Sequence, residues 1–305
     1  MYSVVRQLTR IRSVRSGIRR RILNTVCPLD RMPSSEFIIN LRGQKLSGNL
    51  RNAQDYAIYF GGAYEPFELD LIEYLTDQIT NSVCLDIGCN MGQHTLIMAK
   101  RAYQVYAFDP LESVRKIAER RVEENDLTNV SFFDFGLGSE ESRHEFYFDS
   151  ESQNNAMGSF IKTHSASSQS VGELRVRKGD DVINEISPTR IDLIKIDVEG
   201  FEGAVMAGLR STISQFQPFI MFEVTSTSMP VFEKEGVLNF LTSTGYEFYE
   251  IIRGKPRFGV FVNTSMALEK IAQVDSRTVG YNLLAVPQKH NEIIDSLSRT
   301  NRLHG

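Results

Sequence analysis

Only three cysteines, Cys27, Cys84 and Cys89, occur in the 305 residues, and they form neither a pairing framework nor a metal-ligand spacing. That scarcity excludes a disulfide-stapled scaffold and suits a reducing compartment. No stretch approaches the roughly 20 apolar residues needed to span a bilayer, and no apolar segment follows the basic amino terminus as a secretory leader requires. Acidic residues are missing from positions 1–29, which hold seven arginines (Arg6, Arg10, Arg12, Arg15, Arg19, Arg20 and Arg21). The whole chain has a formal net charge of −4, so removing those seven leaves −11 on the remainder. A body that acidic, with no recognised binding motif, argues against a nucleic-acid partner. With 41% hydrophobic and 24% charged residues, the composition is that of a soluble globular protein, expected in the cytoplasm.

What the sequence does have begins at Val83-Cys84-Leu85-Asp86-Ile87-Gly88-Cys89-Asn90-Met91-Gly92. A continuous apolar run reads as a buried parallel strand, and Gly88 and Gly92 permit the sharp turn after it. His94 to Arg101 has the pattern of a helix with its cations at the carboxyl end. Val105 to Phe108 is a second apolar strand, ending in Asp109-Pro110. This is one βαβ unit, in which ligands sit at the carboxyl ends of the strands and an acid about 20 residues past the glycines accepts from ribose hydroxyls. Asp109 stands at that place.

Two adenosine-containing cofactors compete for such a unit. A dinucleotide needs Gly-x-Gly-x-x-Gly so that backbone N–H groups close on pyrophosphate. Asn90 and Gln93 break that pattern, whereas Asp86 offers a carboxylate to the cationic end of S-adenosylmethionine (SAM). SAM is therefore the expected cofactor, with an NAD-dependent oxidoreductase as the alternative enzyme.

The second constellation is Arg190-Ile191-Asp192-Leu193-Ile194-Lys195-Ile196-Asp197-Val198-Glu199-Gly200, again an apolar strand ending in carboxylates and a glycine. Pro218 to Val224 repeats the pattern and carries Glu223. Acids at successive strand ends face one crevice. Asp197 and Glu199 are the candidates for base or acceptor-positioning group, with Glu223 beside them. Lys195 falls within the strand and is set lower. The same carboxylates, if they converge, suit a hard divalent cation, and the alternative to both roles is a turn acid and a helix cap.

Other segments are weaker. Glu65, ahead of a helix over 66–80, either approaches the amino-acid end of the cofactor or satisfies the helix dipole. Val130 to Phe135 reads as a third strand whose end, Asp134 and Phe135, would receive adenine. His94 is a packing or cofactor-contact residue more readily than a base. The segment 150–172, rich in Ser, Asn, Gln and Gly, reads as a long loop, either a lid or plain surface. Residues 1–23 show imperfect amphipathicity through Val4, Leu8, Ile11, Ile18 and Ile22. They offer a peripheral membrane-surface contact, a transit peptide or a basic arm that is simply solvated or packed locally, and a non-catalytic membrane-associated protein keeping the fold is the non-enzyme alternative. The resulting organisation is an Arg-rich extension over 1–29, lead-in elements over 30–82, a cofactor-binding domain over 83–290 and a tail over 291–305.

Asp-Ile-Gly-x-Asn-x-Gly, Ala-Phe-Asp-Pro, Asp-Leu-Ile-Lys-Ile-Asp-Val-Glu-Gly and the later Phe-Glu together resemble the FkbM family of SAM-dependent methyltransferases over residues 60–290. The Ile-Asp-Val-Glu-Gly-x-Glu segment, 196–202, is the most specific part. Cys89 departs from the alanine usual there, a small-for-small change. The resemblance implies a class I methyltransferase fold: an α/β, Rossmann-like, mostly parallel sheet of seven strands with the last, Tyr281 to Pro287, antiparallel. It also implies O-methylation of a hydroxyl on a sugar, glycolipid or polyketide-type metabolite, so that the partner is a small-molecule or glycan- or lipid-linked acceptor. Gly88, Asn90, Gly92 and Pro110 join Asp86, Asp109 and Glu65 as cofactor contacts in that reading.

Overall fold

Val83–Ile87 and Leu193–Ile196 are apolar enough to be buried on both faces, and they pair side by side at the centre of the molecule. The computed structural model describes residues 2–11, 14–149, 158–159, 168–252, 256–258, 261–262 and 266–303. Helices α1 (Tyr2–Thr9) and α2 (Ser16–Val26) come first, then a hairpin of β1 (Glu36–Leu41) and β2 (Gln44–Asn49), then α3 (Ala53–Gly61) and α4 (Pro66–Gln78). The alternating core opens with β3 (Val83–Ile87), α5 (Gln93–Ala99), β4 (Gln104–Phe108), α6 (Glu112–Glu123) and β5 (Val130–Phe133). Strands β6 (Gly136–Gly138), β7 (Ser142–Asp149), β8 (Gly158–Ser159) and β9 (Ser168–Lys178) make a second sheet. The core resumes with α7 (Gly179–Ile186), β10 (Leu193–Ile196), α8 (Glu202–Gly208), α9 (Arg210–Phe216), β11 (Phe219–Val224), α10 (Ser228–Glu235), α11 (Val237–Ser243) and β12 (Tyr246–Ile252). A small pair, β13 (Pro256–Phe258) and β14 (Phe261–Val262), precedes β15 (Ala267–Ile271), β16 (Tyr281–Pro287) and α12 (Asn291–Leu303).

The main sheet has the order β15-β12-β16-β11-β10-β3-β4-β5. Its centre, from β11 to β5, is parallel, and β16 enters antiparallel between β11 and β12. The seven expected strands are all present. An eighth, β15, adds antiparallel to β12 at the edge. Helices cover both faces. Cys84 and Leu193 face one core with residues of α4 and α5, whereas Leu85, Ile87 and Ile194 face the other with residues of α7 to α11. Chain order reverses between β3 and β10, because β4 lies on one side of β3 and β10 on the other. The crevice at that reversal is where open α/β sheets take ligands.

One expectation changes. The carboxyl part of 150–172 is strand, since β9 starts at Ser168 and pairs along β7. The rest of that segment, 150–157 and 160–167, and with it the lid reading, lies outside the described residues. The Arg-rich extension is two helices, and α1 is docked on α3: Thr9 Oγ1 donates to the Phe60 carbonyl at 2.8 Å, and Val5 joins a small core with Tyr56 and Phe60.

The lead-in elements are tied to the core by Arg121 of α6, which is fully buried. Its guanidinium donates to Asp55 Oδ1 at 2.5 Å, to the Ser47 carbonyl at 2.9 Å and to the Met91 carbonyl at 2.8 Å. Three segments distant in sequence therefore share one cation.

Candidate active site

The turn after β3 is tightly packed against the turn after β10. Gly88 has φ +80°, and a Cβ there would stand 1.9 Å from the Asp197 carbonyl oxygen, so glycine is required by both angle and space. Only glycine lets the turns after β3 and β10 approach this closely, and that approach brings the two sets of strand-end acids together. Gly92, expected as a cofactor contact, has a different reason to be glycine: a Cβ would meet Ala118 Cβ at 2.7 Å, so it permits α6 to pack on the start of α5. It does not line the cleft.

All five N–H groups of this turn are used within the protein. Gly88 and Cys89 donate to the Phe108 carbonyl, Asn90 to Asp109 Oδ2 at 2.8 Å, Met91 to Asn90 Oδ1 and Gly92 to the Cys89 carbonyl. No donor row is left for a pyrophosphate. Asp109 also accepts from Leu111 N–H at 2.9 Å, which fixes its carboxylate between the turns after β3 and β4. Burial raises its pKa to about 6.

The cleft is lined by Glu65, Gly88, Asn90, His94, Asp109 and Pro110 of the expected cofactor set and by Asp197, Glu199 and Glu223 of the expected chemical set. Asp86, Asp134 and Phe135 are not among the lining residues. Asp86 lies one layer beneath, fully buried, with Oδ2 accepting from Thr95 Oγ1 at 2.6 Å. Phe135 packs into the core with Phe108 and Phe133 and lies under Arg177, whose guanidinium is 5.1 Å from the ring centroid. Asp134 is exposed at the bend between β5 and β6. The third strand stops at Phe133, so these two residues belong to the passage into the second sheet rather than to a cleft-facing strand end.

Lys195, which its place within the strand sets below the acids in the sequence, lines the cleft. It stands beside Asp86 in register across β10 and β3, is buried, and donates from Nζ to Asp197 Oδ2 at 3.0 Å. Burial would lower the ammonium's pKa, but Asp197, Asp86 and Glu65 together raise it. A lysine in the middle of an apolar strand, two residues before an acid on the same face, was the signal available. The second sheet contributes Phe146 and the lead-in contributes Gln54 and Tyr64, which local sequence did not mark.

Local backbone aims the acids. Glu65 and Glu199 both sit at positive φ, +48° and +52°, a conformation costing on the order of 1 kcal/mol outside glycine and kept only where the surroundings impose it. At Glu199 the surroundings are Glu202, whose buried Oε1 accepts from the N–H groups of Val198 and Gly200, each at 3.1 Å. At Glu65 they are Gln93, which accepts from Tyr64 N–H and donates to the Tyr64 carbonyl. Gln93 is therefore a clamp on the lead-in.

The electrostatics follow from crowding. Burial and then Asp197 push Glu65 up to about 8, and burial with Asp197, Glu223 and Glu202 pushes Glu199 up to about 7. His94 Nε2 is 3.5 Å from Glu65 Oε2, long for a hydrogen bond. Burial, Lys195 and Arg42 hold the His94 imidazole well below its ordinary pKa and so neutral. Among the described residues lining the cleft, Lys195 is the one lysine or arginine, set against five carboxylates. Such a cleft is short of positive charge. SAM, with its sulfonium and ammonium, fits that deficit, whereas a pyrophosphate opposes it. Among the described residues no group of three or more His, Cys, Asp or Glu side chains is placed to hold a metal ion.

The chain is similar to several known proteins. AMB antimetabolite synthetase AmbE of Pseudomonas aeruginosa is 26% identical over 235 residues, 63% of this chain and 10% of that protein. Hexuronic acid methyltransferase AglP of Haloferax volcanii is 25% identical over 158 residues, 52% of this chain and 62% of that one. The chain thus spans from a tenth to about three-fifths of the length of these curated relatives. The crystal structure of methyltransferase FkbM from Methylobacillus flagellatus aligns with a TM-score of 0.42 at 15% identity, covering 77% of this chain and 56% of that one. The model of the methyltransferase FkbM domain matches residues 86–248, more than half of the chain and inclusive of the strand-end turns after β3, β4 and β10, and the chain therefore belongs to the FkbM methyltransferase family.

Proposed function

We propose that the protein is a SAM-dependent O-methyltransferase acting on a hydroxyl of a neutral, polyol-type acceptor such as a sugar, a glycolipid or a polyketide-type metabolite. The observation that carries this reading is the set of strand-end carboxylates converging on one cleft, with Glu199 held near neutrality in its proton affinity.

Bound SAM supplies a methyl group already activated by its sulfonium. What remains for the chain is alignment and removal of the hydroxyl proton. Asp109, fixed by the Asn90 and Leu111 N–H groups, is the ribose contact, and Glu65 lies where the amino-acid end would enter. Asp197 is engaged by Lys195 and acts as a positioning group. Glu199 is the base in this reading: with a pKa of about 7 it exists in both protonation states near neutral pH and takes the acceptor proton. Glu223 lies beside it and keeps that affinity high. Tyr64, whose pKa is raised by burial and by Glu65, Asp197, Glu199 and Glu223, faces the same group.

The charge of the cleft favours a hydroxyl over a carboxylate acceptor. A carboxylate would enter among Glu199, Glu223 and Asp197 with Lys195 already paired. The name of AglP, a hexuronic acid methyltransferase, supports a sugar framework for the acceptor, while the carboxylate of a hexuronic acid is the group the charge of this cleft opposes. Incubation with methyl-labelled SAM and a glycolipid and polyol extract tests the reading. Label that survives mild alkali as a methyl ether is expected. Label released by alkali as methanol marks a methyl ester and contradicts it.

A further inference from the structure

The amino-terminal helix presents two faces of opposite use. Val5 and Thr9 are buried against α3, Arg6 lies over the Tyr59 ring at 4.5 Å, and Thr9 is bonded to Phe60. On the next face along, Val4 and Leu8 at spacing i, i+4 are 60% and 50% exposed, and Ile11, just past the helix end, is 44% exposed. Three large aliphatic side chains are left outward, two on a docked helix and one directly after it. Next in the chain, Arg15, Arg20 and Arg21 are exposed around a shallow depression that also includes Ile18. No acid occurs within residues 1–29, and the rest of the chain carries a formal −11.

We propose that α1 and the amino-terminal half of α2 form a docking surface for an anionic lipid bilayer, with Val4, Leu8 and Ile11 entering the headgroup and acyl boundary and Arg15, Arg20 and Arg21 meeting lipid phosphates. The combination selects a membrane over a soluble polyanion: arginines alone serve either, but a polyanion has no use for the aliphatic row. The acidic body is repelled by the same bilayer, so the molecule is oriented with the arm down. No described helix is long and apolar enough to cross a membrane, which makes the contact a surface one. Helix α3, on which α1 is docked, carries Gln54 into the cleft wall and leads through Gly62 to Tyr64 and Glu65. The proposed surface and the cleft wall thus share α3, which links membrane attachment to the element beside the cleft.

Co-sedimentation of the full chain with phosphatidylcholine vesicles, with and without phosphatidylglycerol, tests this independently of methyl transfer. Binding only to the anionic vesicles is expected, weakening as salt is raised. Leu8→Glu and Val4→Glu, both at exposed positions and so without effect on the thermal midpoint, should each weaken binding about ten-fold or more. Arg20→Ala and Arg21→Ala should each weaken it roughly five-fold. Wild-type chain that stays in the supernatant overturns the proposal, as does binding unaffected by Leu8→Glu. Equally contrary is a dimer in solution that Leu8→Glu dissolves, which gives the aliphatic row to a second copy of the chain. Retention on heparin without vesicle binding assigns the arginines to a soluble polyanion and overturns it too.

Discussion

Glu199 takes its proton affinity from three neighbours and from burial, and that affinity has a kinetic signature. Its folded-state pKa is raised to about 7, so the carboxylate, the form that accepts a proton, is lost as pH falls below that value. Methyl transfer should rise about ten-fold per pH unit below 7 and level off by about pH 8. Glu199→Gln should lower kcat by roughly 10²- to 10⁴-fold, leave SAM affinity unchanged and flatten the pH profile. A profile of the same shape in the variant removes Glu199 as the base. Asp197 accepts from Lys195 Nζ at 3.0 Å, which holds that carboxylate in place. The sequence puts both acids at a strand end, but the Lys195–Asp197 contact depends on where a lysine inside the strand sends its ammonium, and that information is tertiary.

At the scale of elements, the strands buried on both faces were the most legible. Val83–Ile87 and Leu193–Ile196 read as continuous apolar runs because parallel central strands have no solvent side. β9 was not legible in its first half, Ser168 to Glu173, since a polar strand owes its existence to its partner β7 rather than to its own composition. Asp134 and Phe135 were misplaced for a related reason: β5 ends two residues before Phe135 and the chain turns into β6. The joint between the lead-in and the core is the buried Asp55–Arg121 pair. Arg121→Met should cost about 3–5 kcal/mol in urea unfolding, because it leaves Asp55 buried and uncompensated. Replacing both, with Asp55→Asn alongside Arg121→Met, should recover much of that loss. Equal destabilisation by the single and double variants would mean that the pair contributes packing rather than charge balance.

The cleft lies at the reversal of chain order between β3 and β10, and residues from Gln54 to Thr225 supply its walls. Helix α3 and the turn before α4 bring Gln54, Tyr64 and Glu65, and the second sheet brings Phe146. The turn after β3 spends all its N–H groups on the protein, and five carboxylates surround a single paired lysine. These features suit the cationic SAM better than a pyrophosphate. Calorimetric titration of the full chain with SAM and, separately, with NAD addresses this most directly. Saturable binding of SAM with no heat from NAD is the predicted result; NAD binding, or no binding of SAM, would contradict the account.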